Sequence, residues 1–377
     1  MKSRGLFLSA IIIAILGVSC DRAEDSDIPT PIVRGKVASI SLQISGTPQT
    51  KASGNPSQED KVLKLDAFVF NIDGSLEAAK SVTSQNNSIT KVDNIAVTSG
   101  EKRIFVLANY ASDISAIKSI TELQNTLSDL KNEKDNGQLT MSTDVINAVI
   151  VPGKNYIGYT SNPTDGTSLE PHTFLLTRLT ARVKVEDMQW QSSEYSFEGA
   201  TAFILNAVKN SHISNSALSL PVSYYQGLSG IGDLYPSSST VLSGSENFLS
   251  STATNNNTYF YLYENQPADG TIYPTILVLR AKVKQNNKYI SNIPGRVDSE
   301  GYTYFPVIIN LEGNNSTVTG ASDNHKYIRR NNTYNIKTIV KGLGTSNPFS
   351  SESPSSLNVQ VSVAPWALNI SQTSVFE

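Results

Sequence analysis

Cysteine is almost missing from this sequence: its 377 residues hold one, Cys20. No disulfide can form within a single chain, so the fold must be held by its apolar cores. Histidine is nearly as scarce. His172, His212 and His325 stand far apart, in neither a helical His-x-x-x-His nor a zinc-like spacing. A GxSxG elbow, a P-loop and a thiol nucleophile in the body of the chain are lacking too. No catalytic residue, metal ligand or cofactor site is therefore assigned, and an enzyme is the least expected reading. Charge is sparse as well. Charged residues make up 17% of the chain, with a net charge of −3 and a pI near 5.8. That leaves no basic field for nucleic acid. Beyond the first residues, no apolar stretch is long enough to span a bilayer.

The first residues, MKSRGLFLSAIIIAILGVSC, carry a basic start at Lys2 and Arg4 and an apolar run from Leu6 to Leu16. Such a run is too short for a membrane span and suits a signal peptide. Leu16-Gly17-Val18-Ser19-Cys20 resembles a lipobox, with Leu16 one place further out than the usual leucine. The expectation is a signal peptide over 1–19, a lipid on Cys20 that ties the precursor to the outer membrane, and a solvated tether in the acidic stretch DRAEDSD. Roughly 300 residues remain, room for about two domains at roughly 150 each.

Most of that remainder reads as short strands. ASISLQIS (38–45) puts Ile40, Leu42 and Ile44 on one face. VLKLDAFVFN leads into an Asp73-Gly74 hairpin turn. KRIFVLANY (102–110) is a buried-strand run, and a second block opens with FLLTRLTARVKVEDMQW (174–190). One stretch differs. In SITELQNTLSDLKNEK, Ile120, Leu123, Leu127 and Leu130 keep a helical period, with Thr121 and Gln124 as a capping box. The loop-forming run TSNPTDGTSLEPH (161–173) precedes a boundary placed near Thr177 to Thr180. The fold class is mainly β: two tandem antiparallel β-sandwich domains with a short helix in the first.

Two candidate sites yield to structural readings. Asn71-Ile72-Asp73-Gly74 lacks the downstream glutamate of a calcium loop and is read as a hairpin turn. Tyr259, Tyr261, Tyr263, Tyr302 and Tyr304 could form a carbohydrate platform, yet their period of two says only that one strand face is aromatic, and sheet packing is preferred. More informative is Lys51-Ala52, a basic residue in a loop of Gly, Thr, Pro, Gln, Ser and Asn just after the first strand. Loops of that composition are exposed to proteases.

At this point the chain resembles a known family, the fimbrillins, major stalk subunits of Bacteroidales type V pili. DKVLKLDAFVFN, PGKNYIGY (152–159), IYPTILVL, YTYFPVIINL, HKYIRRNNTYNIK, GLGTSNP and LNVQVSVAPW carry the resemblance, from about Ala38 to Glu377. It implies transthyretin-like sandwiches and a maturation path. A trypsin-like protease would cut between Lys51 and Ala52, where the family has arginine. The lipidated propeptide, 20–51, would leave with its first strand and open a groove. Another copy would fill that groove with its C-terminal strand. The implied layout is a first domain over 52–178, a second over 179–356 and donor strands over 357–377. The implied partners are further copies of the chain, the protease, and anchor and tip pilins of the same filament. Arg34 lies upstream of the first strand, so a cut there would not open the groove.

The residues fit this. The strand to be removed reads Ile40-Ser41-Leu42-Gln43-Ile44, and the tail reads Trp366-Ala367-Leu368-Asn369-Ile370. Each presents three large apolar side chains at a period of two, so one can stand in for the other. Pro365 marks the bend where the tail leaves its own sheet. The rival expectations are an anchored, glycan-binding surface lipoprotein that does not polymerise, and an anchor or tip subunit of the same pilus.

Overall fold

Alternating apolar and polar residues become strands almost wherever they occur. The structure, a computed structural model, describes residues 35–45, 58–133, 139–161, 163–215, 222–230, 232–267, 273–311, 326–349 and 357–365. All of them belong to one compact unit, Gly35–Glu377.

The sheets sort along the chain. Residues up to Arg178 build two sheets. In one, the first strand, Val37–Ser45, lies between Lys91–Thr98 and Gly153–Ile157, with Thr167–Leu169 beyond. In the other, Lys64–Asn71 pairs with both Leu76–Thr83 and Gly100–Ala108, and Ile146–Ile150 and Met141–Ser142 extend it. The strands Lys64–Asn71 and Gly100–Ala108 are apolar on both faces for a reason. Leu65, Ala67, Val69, Ile104 and Val106 face the first strand's sheet, whereas Phe68, Phe70, Phe105 and Leu107 belong to a second core. A strand buried on both sides reads as a continuous apolar run.

That second core is shared. It joins those phenylalanines to Ala181, Val183, Ile204, Leu277, Phe305 and Tyr334 from the later strands. There, Thr180–Trp190 pairs antiparallel with Thr258–Tyr263 and parallel with Asn332–Val340, and Leu357–Pro365 closes the edge. The facing sheet holds Ser196–Leu205, Ile276–Gln285 and Tyr302–Ile308. Both sandwiches thus carry parallel ladders beside antiparallel ones. Thr177–Arg178 pairs back to Met141–Ser142, and Thr180 begins the later sheet, so the chain changes sandwich at Leu179.

Local expectations meet two outcomes. The Asp73-Gly74 hairpin is present: Gly74 has φ +89°, and the Asp73 carboxylate accepts from the Ser75 N–H at 2.9 Å. The helix is shorter than its period implies. It spans Ile120–Asn125, and its N-cap is Ser119, whose hydroxyl accepts from the Glu122 N–H, so Thr121 and Gln124 form no cap. Leu127–Asp129 is instead a short strand against Asn210–His212, and Leu130 begins a 3-10 turn. Tertiary pairing overrides a weak local preference there. Of the tyrosines, Tyr263 and Tyr304 are buried, Tyr261 donates to Glu59 and Tyr302 lies against Arg280, as sheet packing requires, whereas Tyr259 is exposed beside Tyr261.

Candidate functional site

The first strand is bonded along both edges and buried on one face. Its backbone pairs antiparallel with Lys91–Thr98, from Val37 opposite Thr98 to Gln43 opposite Lys91. On its other edge it runs parallel to Gly153–Ile157, from Ala38 opposite Gly153 to Leu42 opposite Ile157. At its end, Ile44 and Ser45 pair with Phe174 and Leu175. Ile40, Leu42 and Ile44 are each 0% exposed, and Ala38 only 4%. They fill a core lined by Val62, Leu65, Val92, Ile95, Ile157 and Phe174. Lifting out this strand would expose that core and leave two open strand edges facing each other across the gap.

The banks are shaped to hold a strand. Asn155, 1% exposed, donates to the Ser39 carbonyl at 3.2 Å while bracing its own loop through Val151 and Gly153. Across the strand, the ladder slips between Ile40 and Leu42, where Asn94 takes φ +55° and donates its N–H to the Ser41 hydroxyl at 3.1 Å. Gly158 has φ +83°, and a Cβ there would stand 1.8 Å from the Gln43 carbonyl oxygen. No side chain fits that approach. Gly35 is held as tightly, since its Cβ would meet the Ser99 carbonyl oxygen at 1.9 Å.

Downstream of Lys51 and Ala52 in the sequence, Glu59 and Asp60 are firmly held. Asp60 pairs with Arg178, which is 0% exposed, and the Glu59 carboxylate accepts from Arg182 at 2.7 and 3.0 Å and from the Tyr261 hydroxyl at 2.7 Å. Burial pushes the Arg178 guanidinium down to about 10, against the pull of Asp60 and Glu59. Glu59 and Asp60 are thus bound to Arg178, Arg182 and Tyr261, where the chain passes from the first sandwich to the second.

Of the residues singled out from sequence, the structure brings Ile40, Leu42 and Ile44 into one buried row. Cys20, Lys51, Ala52, Trp366, Leu368 and Ile370 lie outside the described residues, as does His325. His172 is exposed, and His212 is buried on the short strand paired with Leu127–Asp129. Among the described residues, no group of three His, Cys, Asp or Glu could hold a metal ion. The residues that grip the first strand, Asn94, Asn155 and Gly158, escaped sequence reasoning, although PGKNYIGY flagged the stretch that holds two of them. The tail's own strand, Leu357–Pro365, pairs with Asn332–Val340 over its whole length, Pro365 opposite Asn332, and its other edge is unpaired within the described sheet. An edge strand tolerates Pro365.

The family model described as major fimbrial subunit protein (FimA) matches residues 38–185, and that of the FimA4 pilin C-terminal domain matches 179–366. The chain is 28% identical to a major fimbrium subunit FimA type-4 of Porphyromonas gingivalis, covering 98% of each protein. It is 26% identical to a type-2 subunit of the same organism, covering 97% of this chain and 98% of the relative. It is also 26% identical to a putative fimbrium tip subunit, Fim1C, of Parabacteroides distasonis, over 91% of this chain and 88% of that one. Among solved structures, a fimbrilin from P. gingivalis W83 superposes with a TM-score of 0.74 at 25% identity, covering 89% of this chain and 99% of that one.

Proposed function

Because the chain belongs to the FimA-type fimbrillin family of major fimbrial subunits, we propose that it is a stalk pilin that polymerises by strand exchange after proteolysis. Its role is structural: the relatives it matches along their length are fimbrial subunits, and its place is a cell-surface fimbria. The precursor is a lipoprotein held at the outer membrane through Cys20. A trypsin-like protease that accepts lysine cuts between Lys51 and Ala52. The segment 20–51 departs with the first strand. The tail of a second copy, bearing Trp366, Leu368 and Ile370, takes its place. The two sandwiches, 52–178 and 179–356, remain as the building block, and 357–377 is the linking arm.

One observation carries this reading. The segment that a cut at Lys51 would release is an interior strand, bonded on both edges and fully buried on one face. A cut at Arg34 would leave that strand in place. Filling the groove again buries three large side chains at about 1.5–3 kcal/mol each. Restored ladder bonds add about 0.5–1.5 kcal/mol each. Before ordering costs the sum reaches about 10 kcal/mol, enough for a long-lived joint. An arm given to one neighbour and a groove offered to another is a heterologous contact, which propagates as a fibre. While the first strand fills the groove, the precursor cannot join.

The test is Lys51→Ala. It should leave a lipidated monomer on the cell surface, with no filaments by electron microscopy. Filaments built from uncut Lys51→Ala subunits would refute the mechanism.

A further inference from the structure

Tyr159 crosses the groove. It follows Gly158 at the end of Gly153–Ile157, on one bank, and its hydroxyl donates to the Asp93 carboxylate at 3.1 Å. Asp93 lies in Lys91–Thr98, on the opposite bank. The first strand runs between those two strands, so the hydrogen bond spans it. The Asp93 side chain is 40% exposed, so the crossing is made over the outer face and not through the core.

The outer face beneath is nearly closed. Tyr156, the register partner of Ser41, meets the Tyr159 ring edge-on at 5.2 Å. Ser41 is only 6% exposed, although it points away from the core that Ile40 and Leu42 enter. The strap's supports come from the banks, from the Asp165 loop and from the strand Leu76–Thr83. Lys91 pairs with the Asp93 carboxylate at 3.3 Å, and Lys80 donates to its carbonyl at 2.6 Å. Asp165 accepts from Tyr156 at 2.7 Å and pairs with Lys154 at 2.6 Å. None of these residues belongs to the first strand, so its departure removes none of them. Burial first, and then the Asp93 carboxylate, hold the Tyr159 phenol well above its ordinary range, so it stays a donor.

The sequence of the occupant matters under such a strap. Residues 40–45 read ISLQIS and residues 366–371 read WALNIS. Aligned in the same direction, Leu368, Ile370 and Ser371 repeat Leu42, Ile44 and Ser45, Asn369 replaces Gln43, and Ala367 replaces Ser41. In the reverse direction the three apolar residues would still fill the core, but Asn369 would fall beneath the rings. That amide is larger than the serine hydroxyl and would crowd a place where Ser41 is only 6% exposed. Alanine fits that space, although it gives up the hydrogen bond that Ser41 accepts from the Asn94 N–H.

We propose that the Tyr159–Asp93 strap reads the outward face of the incoming strand. It admits the tail of a second copy in the direction of the first strand, with Ala367 beneath the strap in the place of Ser41. This rests on the strand-exchange reading. The strap is a positioning device that sets polarity and register, where the core pockets alone would accept either direction.

The experiment follows polymerisation of protease-matured, full-length subunits by light scattering and electron microscopy. Ala367→Arg should slow it at least about tenfold by crowding the strap. Asn369→Arg, on the next outward position, where Gln43 is less buried than Ser41, should leave it within about twofold. Opening the strap with Tyr159→Ala, or from the other bank with Asp93→Ala, should return Ala367→Arg to the rate of the strap variant alone. Thermal unfolding of each precursor checks that the strap variants fold. Equal effects of the two arginines, or no rescue by either strap variant, overturn the strap. A block by Asn369→Arg with Ala367→Arg tolerated overturns the polarity. If a chain ending at Pro365 polymerises like the full chain, the strand-exchange reading itself fails, whatever the strap does.

Discussion

Leu42→Ala should injure the precursor and spare the filament. Leu42 is fully buried between Val92 on one neighbouring strand and Ile157 on the other, in the middle of the first sandwich core. Both neighbours are fixed in ladders, so the cavity cannot collapse, and the loss should be about 3–5 kcal/mol. With a urea slope of about 3 kcal/mol/M, the precursor's midpoint should fall by at least about 1 M. The assay is tryptophan fluorescence in urea on uncut precursor and on assembled filaments, each against its wild-type counterpart. Residue 42 leaves with the propeptide, so filaments built from Leu42→Ala precursor should unfold at the wild-type midpoint. A parallel loss in the filament would mean that the first strand stays, and the reasoning would fall. Loss in neither would mean that the strand is not the structural element its burial indicates.

Three further outcomes follow from the same structure. Gly158→Ala forces a Cβ against the Gln43 carbonyl in a left-handed backbone, and should prevent the first strand from seating; protease digestion should then release 37–45 region peptides from uncut precursor, whereas wild-type resistance would contradict this. Asp60→Ala takes away the carboxylate paired with the buried Arg178 charge, at a cost of about 3–5 kcal/mol in urea unfolding, while Arg178→Met with Asp60→Leu should be nearly neutral. Burial raises the Glu133 carboxyl above 4.5 despite donors from Tyr263, Ser128 and the Thr140 N–H. The folded chain therefore keeps a proton that the unfolded chain releases, and stability falls as pH rises from 4.5 through the raised value. Glu133→Gln should flatten that fall in urea midpoints measured toward neutrality, and an unchanged slope would contradict it.

What the chain disclosed in advance was local and periodic. Ile40, Leu42 and Ile44 alternate with polar residues, and that alone places them on a buried strand face. Asp73-Gly74 fixes its hairpin through residues next to one another. Contacts between distant residues stayed hidden. Asp93 and Tyr159 are 66 positions apart, and Asp60 and Arg178 are 118 apart. Neither pair has a spacing that a period could reveal. The helix misled because Leu127 and Leu130 continue its period, while the strand at Asn210–His212, far along the chain, draws Leu127–Asp129 into a ladder. Gly158 is a related case: a glycine in a loop signals a turn, and only the closeness of Gln43 shows that it is needed where two stretches of backbone nearly touch.

The central claim is that the tail of one copy takes the place of the first strand in the next. Val92 and Leu42 are register partners across the groove, so Leu368 standing in for Leu42 would lie beside Val92 of its neighbour. Cys20 is the only natural cysteine and leaves on maturation, so Val92→Cys with Leu368→Cys adds the only thiols of the mature subunit. After proteolysis and mild oxidation, a non-reducing gel should show a ladder of covalent multimers that needs both cysteines and disappears in Lys51→Ala. Monomers alone, from filaments otherwise intact, would contradict the account.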